Sequence, residues 1–452
     1  MNKRQTMIVV ITGCVVVAAL AGLLLPKLLK SKARSIILIS VDTLRPDHLG
    51  CYGYAKNTSP AIDAFARDAT LFERCFSQAP NTRPSCASFL SGFYPHECKV
   101  ASNSDNLPPE VTTLAERLKA KGYRTLAASS NFVLGPGSGF DQGFDVFDNQ
   151  LDELETVRQV PERVAAKTTD AAIRMLDSAG GKFFLWVHFQ DPHGPYTPPA
   201  PYDSMFLDPN RPIIKLPINP SLSGIGGIPI YQKLGNHDDY WFYVAQYDGE
   251  IGYLDKHLGR LLQALKDRGL YDKSLIILTA DHGEGMGERG YYFAHGEFVF
   301  NNLERVPLVI RPGGQAPSRR TEYAQLLDLA PTILRYAGLG PDPKLRGRDL
   351  FAASLSPTPI LCEMDGKYSM IEDGIKVVVH VDDREFFLFD LKSDLNEEHN
   401  LIQDQAYVQY VEPLLDRIDS LMAEDRIQGA VETPANLSPQ DKERMKSLGY
   451  TH

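Results

Sequence analysis

Acidic and imidazole side chains stand at the ends of three separate apolar runs of the sequence. These groups are Asp42 after SIILISV (35–41), His188 with Asp191 and His193 at and after FFLWVHF (183–189), and Asp281 with His282 after LIILT (275–279). Short runs of this kind are typical of strands that are buried on both faces of a parallel sheet. Because ligands of such sheets bind at the carboxyl ends of the strands, the three runs predict one functional site at a single edge.

A hydroxyl that could act as a nucleophile lies in the segment NTRPSCASFLSG (81–92). Pro84 suits the first turn of a helix that runs to Gly92, which places Thr82 just outside the amino terminus of that helix. The positive end of the helix dipole, with a divalent metal beside it, would lower the pKa of this hydroxyl and let it attack sulfur or phosphorus. Taken alone, the same residues also fit an ordinary capped helix start.

The elements that must position these groups alternate between apolar runs and segments of helical period. Two further strand-like runs are Thr125–Ala128 and Pro307–Ile310, and the clearest helix spans about Asp238–Lys266, where leucines form one stripe. This alternation predicts an α/β fold with a mostly parallel sheet and helices on both faces. The irregular stretch Pro195–Gly235 is too long for a simple connection and is predicted to be a lid or a substrate-binding loop.

The composition and net charge indicate which kinds of partner the chain could bind. The chain has 452 residues with a formal net charge of -10, and its body contains no run of basic residues, so a nucleic-acid partner is not expected. A small anionic substrate stays compatible with this charge because a metal ion can hold it locally. The six cysteines lack the spacing of a zinc ribbon, and free buried thiols are expected in preference to a disulfide.

The amino terminus contains the longest apolar run. Met7–Leu25 is unbroken, carries basic residues on both sides and is close to the roughly 20 residues of a membrane-spanning helix. The alternatives are a signal peptide that is cut near Ala19–Ala21 and a lipoprotein that is cleaved at Cys14. The distribution of basic residues around the run slightly favours placing the chain that follows it in the cytoplasm. The chain is therefore divided into a membrane anchor at 1–34, a catalytic domain at 35–355 and a small C-terminal α+β subdomain at 356–452, where a hairpin-like pattern precedes a polar, helix-forming tail.

The order and spacing of these segments resemble the sulfatase family of the alkaline phosphatase superfamily. The family signature is Cys or Ser, any residue, Pro, any residue, Arg, with a glycine ten residues after the first position, and Thr82, Pro84 and Gly92 match its spacing. Other segments that look like the family are VDTLRPDHLGCYGY (41–54), LPPEVTTLAERLKAKGYRT (107–125), DPHGPYTPP (191–199), YDGEIGYLDKHLGRLL (247–262), RVPLVIRPGG (305–314) and LLDLAPTIL (326–334). The resemblance thus covers nearly everything from Ser35 to Tyr450.

This resemblance implies a metal-dependent hydrolase of sulfate or phosphate esters. The family pattern places one divalent ion, manganese, zinc or calcium, on Asp42, Asp281 and His282, with the nucleophile Thr82 as a further ligand. His282 stands where calcium sulfatases usually carry asparagine, which shifts the preference toward manganese or zinc. The substrate would be a small anionic ester or an esterified glycan or lipid. Since the family usually works outside the cytoplasm, the catalytic domain is expected to be extracytoplasmic, in the periplasm.

The same pattern suggests roles for the other histidines. His193 is similar to the family's imidazole that binds the ester oxygens or protonates the leaving group, and His295 takes the place of an anion-binding lysine. His188 is expected to be structural, because it stands one strand position too early to reach the edge of the site.

The sequence departs from the family pattern at the nucleophile and at the anion-binding residues. Threonine cannot form the formylglycine aldehyde that sulfatases make from Cys or Ser, and Cys86 replaces the arginine of the maturation motif. SSNF (129–132) replaces the Gly-Lys-x-His segment that binds sulfate in the family. Asn131 in this segment could donate a hydrogen bond to substrate or cap a loop. Unmodified threonine nucleophiles occur in phosphodiesterases and in phosphoethanolamine and phosphoglycerol transferases of the superfamily. A transferase acting on envelope lipid or polymer, and a catalytically silent binding protein, are therefore the alternatives.

Overall fold

The computed structural model describes residues 35–155, 157–427, 429–432, 440, 443 and 444. The strands in chain order are β1 (Ile36–Val41), β2 (Thr70–Phe76), β3 (Arg124–Ser129), β4 (Val146–Asp148), β5 (Glu153–Leu154), β6 (Pro161–Glu162), β7 (Phe183–Phe189), β8 (Ile218–Asn219), β9 (Ile228–Pro229), β10 (Leu275–Ala280), β11 (Arg305–Pro312), β12 (Ser318–Gln325), β13 (Ile360–Met364), β14 (Lys367–Glu372), β15 (Ile375–His380) and β16 (Glu385–Asp390). The α-helices are Pro60–Arg67, Thr82–Ser91, Pro95–Cys98, Leu114–Ala120, Ala165–Ser178, Tyr202–Met205, Tyr240–Asp267, Asn301–Glu304, Leu329–Tyr336 and Val411–Met422.

Eight strands form the central sheet in the order β12-β2-β11-β10-β1-β7-β3-β4. Neighbouring strands are parallel except where β11 pairs with β10 and with β2, so β11 runs against the other seven. The strands β1, β7 and β10 are buried at every position, which is the pattern that their all-apolar sequences predict. The mostly parallel sheet is confirmed, and the run at 307–310 is a strand whose direction is opposite to that of its neighbours.

Two groups of helices cover the central sheet. Pro60–Arg67 and Ala165–Ser178 pack against the long helix Tyr240–Asp267, while Leu114–Ala120 and Leu329–Tyr336 pack against Thr82–Ser91. The leucine stripe of the long helix is buried as predicted, and each such side chain contributes roughly 1.5–3 kcal/mol by leaving water. Because the strands between the two groups are buried on both faces, the layers are helix, sheet and helix.

The four strands β13 to β16 form a separate antiparallel sheet in sequence order. The helix Val411–Met422 packs on it through Leu414 and Ile418, which meet Val377 and Leu388 of the sheet. The opposite face packs on the part of the chain that precedes β11, where Phe300 joins a cluster with Val378 and Phe389. This is the α+β arrangement expected after residue 356, although the exact division at 355/356 stays a prediction.

The predicted membrane anchor at 1–34 lies outside the described residues, as does the end of the chain from 445 onward. Among the residues that the structure does describe, no helix is both long and apolar enough to span a bilayer. The anchor, its cleavage alternatives and the periplasmic location stay predictions. The five cysteines within the described part are free, as expected, and four of them are buried.

A buried lysine ties the small sheet to the central one. Lys376 of β15 is fully buried, and its ammonium lies 3.0 Å from Glu304 Oε2 and 2.7 Å from Glu397 Oε1 while donating a 2.9 Å hydrogen bond to Asn301 Oδ1. Two carboxylates that are out of water therefore share one close cation, and Arg289 approaches Glu397 Oε2 only to 3.9 Å.

Replacing Lys376 with methionine is expected to lower the free energy of unfolding by about 3–5 kcal/mol, because both carboxylates would stay buried without their partner. Urea unfolding of the two proteins measures this loss. The matched control is Lys215→Met, which removes a lysine that is 74% exposed and lies 3.2 Å from Asp238 Oδ2; its expected cost is below about 1 kcal/mol. Equal losses in the two variants would contradict the prediction.

Candidate active site

Strand β1 delivers Asp42 to the carboxyl edge of the central sheet. The backbone N–H of Asp42 still donates to the carbonyl of Phe189 in β7 at 2.9 Å, and its side chain is fully buried. Thr43 then turns the chain with a φ of 54°, a left-handed value that costs energy in a residue other than glycine. The hydroxyl of Tyr247 donates a 2.7 Å hydrogen bond to the Thr43 carbonyl and supports this turn.

Strand β10 ends beside β1 and supplies Asp281 and His282. Asp281 Oδ1 accepts the backbone N–H of His282 at 2.8 Å and that of Thr43 at 3.3 Å, which orients the carboxylate. His282 Nδ1 lies 2.9 Å from the carbonyl of Gly283. Because a carbonyl can only accept, Nδ1 carries the proton and Nε2 presents a lone pair. Burial lowers the pKa of His282, which favours this neutral form.

The helix Thr82–Ser91 begins at the same edge. Thr82 is the first helical residue, one position further in than predicted, with Asn81 as the N-cap and Gly92 in the left-handed region after the last turn. Arg83 holds this start through its backbone N–H, which donates to Asn103 Oδ1 at 2.7 Å, and through Nε, which donates to the Val133 carbonyl. The hydroxyl of Ser85 donates to the Asp281 carbonyl at 2.7 Å, which fixes the helix against the end of β10.

Several buried atoms at this edge have no hydrogen-bond partner among the described residues, and four of them belong to the predicted metal ligands and nucleophile. These four are Asp42 Oδ1, Thr82 Oγ1, Asp281 Oδ2 and His282 Nε2. His282 Nε2 lies 3.6 Å from both carboxylate oxygens, and two ligands bound at about 2.1 Å to one tetrahedral ion are about 3.4 Å apart. Carboxylates, one imidazole and one hydroxyl also suit a divalent cation chemically. These residues therefore fit the metal ion that the sequence predicts.

Without a cation, the two carboxylates of this cluster oppose each other. Burial, followed by the negative charge of Asp281, raises the pKa of Asp42 well above its ordinary value. The Thr82 hydroxyl makes no well-aligned hydrogen bond, but it lies close enough to Asp42 to lower that pKa in part. The nucleophile candidate is thus next to the metal-ligand candidates.

Asn131 orients the Asp42 carboxylate, and His188 lies near it without a hydrogen bond. Asn131 Nδ2 donates to Asp42 Oδ2 at 2.5 Å, while Asn131 Oδ1 accepts the backbone N–H of Val133 at 2.8 Å. Asn131 is therefore a loop cap and a support of Asp42, and its contact with substrate stays a prediction. His188 Nε2 lies 3.9 Å from Asp42 Oδ2, so the expectation that His188 falls short of the site was wrong. His188 pairs in register with Ser40, and the length of its imidazole reaches the next strand position.

The other two predicted histidines lie side by side. The rings of His193 and His295 have centroids 5.1 Å apart, and His295 is 4.5 Å from the ring of His282. His193 Nδ1 is 2.7 Å from the carbonyl of Gly194, so it donates that proton and leaves Nε2 as an acceptor. Burial, together with the neighbouring His295, lowers the pKa of His193 well below its ordinary value. His193 is therefore neutral.

Glu284 is a site residue that the sequence reasoning missed. Its carboxylate is fully buried, accepts the Tyr196 hydroxyl at 3.0 Å and lies 3.2 Å from His295 Nδ1. Its signal was present in the sequence, since it directly follows Asp281-His282-Gly283. Among the described residues, the basic side chains within 4 Å of the carboxylates of Asp42, Asp281 and Glu284 are all imidazoles.

Glycines allow two close approaches at this site. A Cβ on Gly283 would lie 2.1 Å from the Asn302 carbonyl oxygen, so only glycine fits between Asp281-His282 and the chain that leads into β11. Gly296 has a φ of +82°, and a Cβ there would lie 2.3 Å from Asn81 Oδ1. The segment that carries His295 can therefore pack against the N-cap of the helix Thr82–Ser91.

The long stretch Pro195–Gly235 packs on the segment that leads to His295. Tyr231 and Gln232 both donate 3.0 Å hydrogen bonds to the Phe293 carbonyl, and the Tyr292 backbone N–H donates to the Gly224 carbonyl at 2.9 Å. The stretch thus supports one wall of the site, and its predicted contact with substrate stays a prediction.

Known proteins share the sequence pattern and the fold of this chain. The profile of the family described as Sulfatase matches residues 34–339, more than half of the chain. Iduronate 2-sulfatase of Mus musculus is 27% identical over 69% of this chain and 70% of its own length. Choline-sulfatase of Rhizobium meliloti (strain 1021) is 24% identical over 82% of both chains. The phosphonate monoester hydrolase of Agrobacterium radiobacter superposes with a TM-score of 0.70 at 23% identity, over 86% of this chain and 95% of that one.

Proposed function

The chain belongs to the sulfatase family and is a hydrolase of sulfuric or phosphoric esters, and from this premise we propose that Thr82 is its nucleophile and that Asp42, Asp281 and His282 hold one divalent cation beside it. The observation that carries the proposal is the group of four unpartnered buried atoms at the sheet edge. When bound, such an ion would lower the pKa of the Thr82 hydroxyl and neutralise charge on the ester oxygens.

In the first step, Thr82 Oγ1 forms a bond to the sulfur or phosphorus while the bond from that atom to the leaving oxygen breaks. His193 is suited to accept the Thr82 proton, because its Nδ1–H is bound to a carbonyl and its Nε2 has a free lone pair. His295 is suited to protonate the leaving oxygen, because Glu284 accepts its Nδ1–H and leaves Nε2–H available when the ring is protonated. Deprotonated His295 can then accept a proton from the water that cleaves the threonyl ester, while protonated His193 returns its proton to Thr82 Oγ1 as that bond breaks.

The Glu284–His295 pair gives a test that depends on the leaving group. In Glu284→Gln the residue keeps its shape but loses the negative charge that faces His295 Nδ1. We expect kcat/KM to fall by about 10²-fold for an alkyl ester, which needs a proton on its leaving oxygen, and far less for a 4-nitrophenyl ester. Steady-state assays on both esters measure the two effects. A loss of equal size for both would argue against His295 as the proton donor.

The electrostatics of the site favour substrates with a single negative charge. The carboxylates of Asp42, Asp281 and Glu284 are buried together, and burial keeps His193 and His282 neutral by lowering their pKa values. One divalent ion, together with a protonated His295 acting as the proton donor, would only balance these three carboxylates, so the site has no excess positive charge for a second negative charge on the substrate. Sulfate monoesters, phosphonate monoesters and phosphate diesters carry one charge, whereas phosphate monoesters carry two near neutral pH. We therefore infer that the natural substrate belongs to the singly charged class.

The deciding experiment is an assay of the purified chain on four 4-nitrophenyl compounds, in manganese or zinc and in a chelator. The compounds are 4-nitrophenyl sulfate, 4-nitrophenyl phenylphosphonate, bis(4-nitrophenyl) phosphate and 4-nitrophenyl phosphate. We expect turnover of at least one singly charged compound, its loss in chelator and its return with metal. Fastest turnover of the phosphate monoester would contradict the charge argument, and no turnover of any compound would contradict the proposed activity.

The two alternatives from the sequence are not favoured by the similar proteins, whose names describe hydrolases. The same assay distinguishes them. A transferase would release little 4-nitrophenol until an acceptor alcohol is added, and a silent binding protein would release none under any condition.

A further inference from the structure

A second group of metal-ligand side chains lies on the β15–β16 hairpin, outside the candidate active site. His380 ends β15, Glu385 begins β16 directly opposite it, and Asp383 lies in the turn between them. One ligand atom from each of the three residues lies within 4.8 Å of the others. All three come from six consecutive residues, so the hairpin alone determines their arrangement.

The imidazole of His380 gives an independent sign of a missing ligand. His380 is only 2% exposed, and neither of its ring nitrogens makes a hydrogen bond among the described residues. Buried polar groups normally have such partners. Its Nδ1 lies 3.4 Å from Glu385 Oε2, longer than a typical hydrogen bond but equal to the roughly 3.4 Å that separates two ligands of one tetrahedral ion with bonds of about 2.1 Å.

The surroundings of His380 hold the ring in place without offering it a hydrogen bond. The rings of Phe298, Phe300 and Phe387 have centroids 5.6, 5.8 and 5.6 Å from that of His380. Lys367 pairs with His380 across β14 and β15. Its single positive charge is outweighed by the two negative charges of Asp383 and Glu385.

We propose that His380, Asp383 and Glu385 bind a second divalent cation, zinc in preference to calcium. One imidazole and two carboxylates form a ligand set that zinc accepts, whereas calcium takes oxygen ligands almost alone. His380 and Glu385 also line a cavity of about 740 Å³, which gives the ion a path from solvent. The ion would fix the hairpin against Phe298 and Phe300, which follow His295 closely in the chain.

Metal stoichiometry tests this site separately from the active site. The full-length chain is stripped with a chelator, reloaded with zinc, desalted and analysed by inductively coupled plasma mass spectrometry. We expect two zinc ions in the unaltered chain and one in the double variant Asp383→Asn/Glu385→Gln, whose exposed positions leave the core intact. The matched control is Asp382→Asn, an exposed carboxylate of the same turn outside the group, which should keep both ions.

The variant Asp42→Asn distinguishes failure of this site from failure of the proposed function. It should lose the active-site ion and keep the hairpin ion, and the hairpin variant should show the opposite pattern. In a competition with a zinc-binding dye, the hairpin variant Asp383→Asn/Glu385→Gln should bind zinc at one site at least about 100-fold more weakly than the unaltered chain does. The proposal is overturned if the unaltered chain and the hairpin variant hold equal amounts of zinc, whether or not Asp42→Asn removes an ion.

Discussion

Replacing Thr82 with alanine is expected to lower kcat/KM for ester hydrolysis by about 10⁴-fold or more while the chain keeps its active-site metal. The hydroxyl is the atom that forms the covalent bond, so its loss removes the first chemical step. The ligand atoms of Asp42, Asp281 and His282 remain, and their positions depend on strand ends that the substitution does not alter. Assays of both proteins, together with metal analysis, measure the two quantities.

Two further variants make the Thr82 result specific. Thr82→Ser keeps a hydroxyl at the same position and should retain activity within about 10²-fold of the natural chain. Ser88→Ala removes a buried hydroxyl from the same helix, one that donates to the Pro84 carbonyl, and should leave kcat nearly unchanged. Mass spectrometry after brief exposure to substrate should find a sulfo or phospho group on the peptide that contains Thr82. Turnover by Thr82→Ala at more than one hundredth of the natural rate would exclude Thr82 as the nucleophile.

Replacing Asp281 with asparagine is expected to have opposite effects on stability with and without metal. The asparagine oxygen can still accept the N–H groups of Thr43 and His282, so the local backbone is preserved. In chelator, the variant should unfold at a higher temperature than the natural chain, because the negative charge that raises the pKa of Asp42 is gone. In saturating manganese or zinc, the natural chain should gain about 2.7 kcal/mol at a metal concentration 100 times its Kd, and the variant should gain little.

Thermal unfolding in the two buffers measures both effects of the Asp281 variant, and activity should fall by about 10³-fold or more because a metal ligand is lost. The control is Asp272→Asn, an exposed aspartate just before β10 that pairs with Arg311 and faces no other buried carboxylate. It should retain the metal-dependent gain and the activity. If Asp281→Asn gained as much stability from metal as the natural chain, Asp281 would not be a ligand.

The parts of the fold that the sequence predicted are those where one local pattern is sufficient. The strands β1, β7 and β10 were placed to within one residue because burial on both faces requires an unbroken apolar run. Strand β12 was missed because it forms one edge of the sheet and most of its positions are exposed or half-buried. The direction of β11 depends on how the chain returns to the sheet, which no short pattern encodes.

The same distinction explains the candidate site. Asp42, Asp281 and His282 were found because they directly follow predicted strands, and the structure brings them together at one edge. His188 was judged from its position in the sequence, whereas its reach depends on the register between β1 and β7. The role of Glu284 depends on His295, eleven residues further along, and a contact of this kind becomes visible only when the loop between them is folded.

The reversal of β11 has a consequence for how this scaffold can diversify. Because β10 and β11 are antiparallel neighbours, the chain leaves the sheet and returns to it at the same edge, and this single excursion carries two metal-ligand candidates and the Glu284–His295 pair. Its base is closed by the Gly283 backbone N–H, which donates to the Leu303 carbonyl at 2.8 Å. Insertions at the exposed tip around Arg289 would therefore leave the strand register and the ligand positions unchanged. Sequence changes in this tip could therefore alter the substrate range while the metal-ligand candidates at its base are retained.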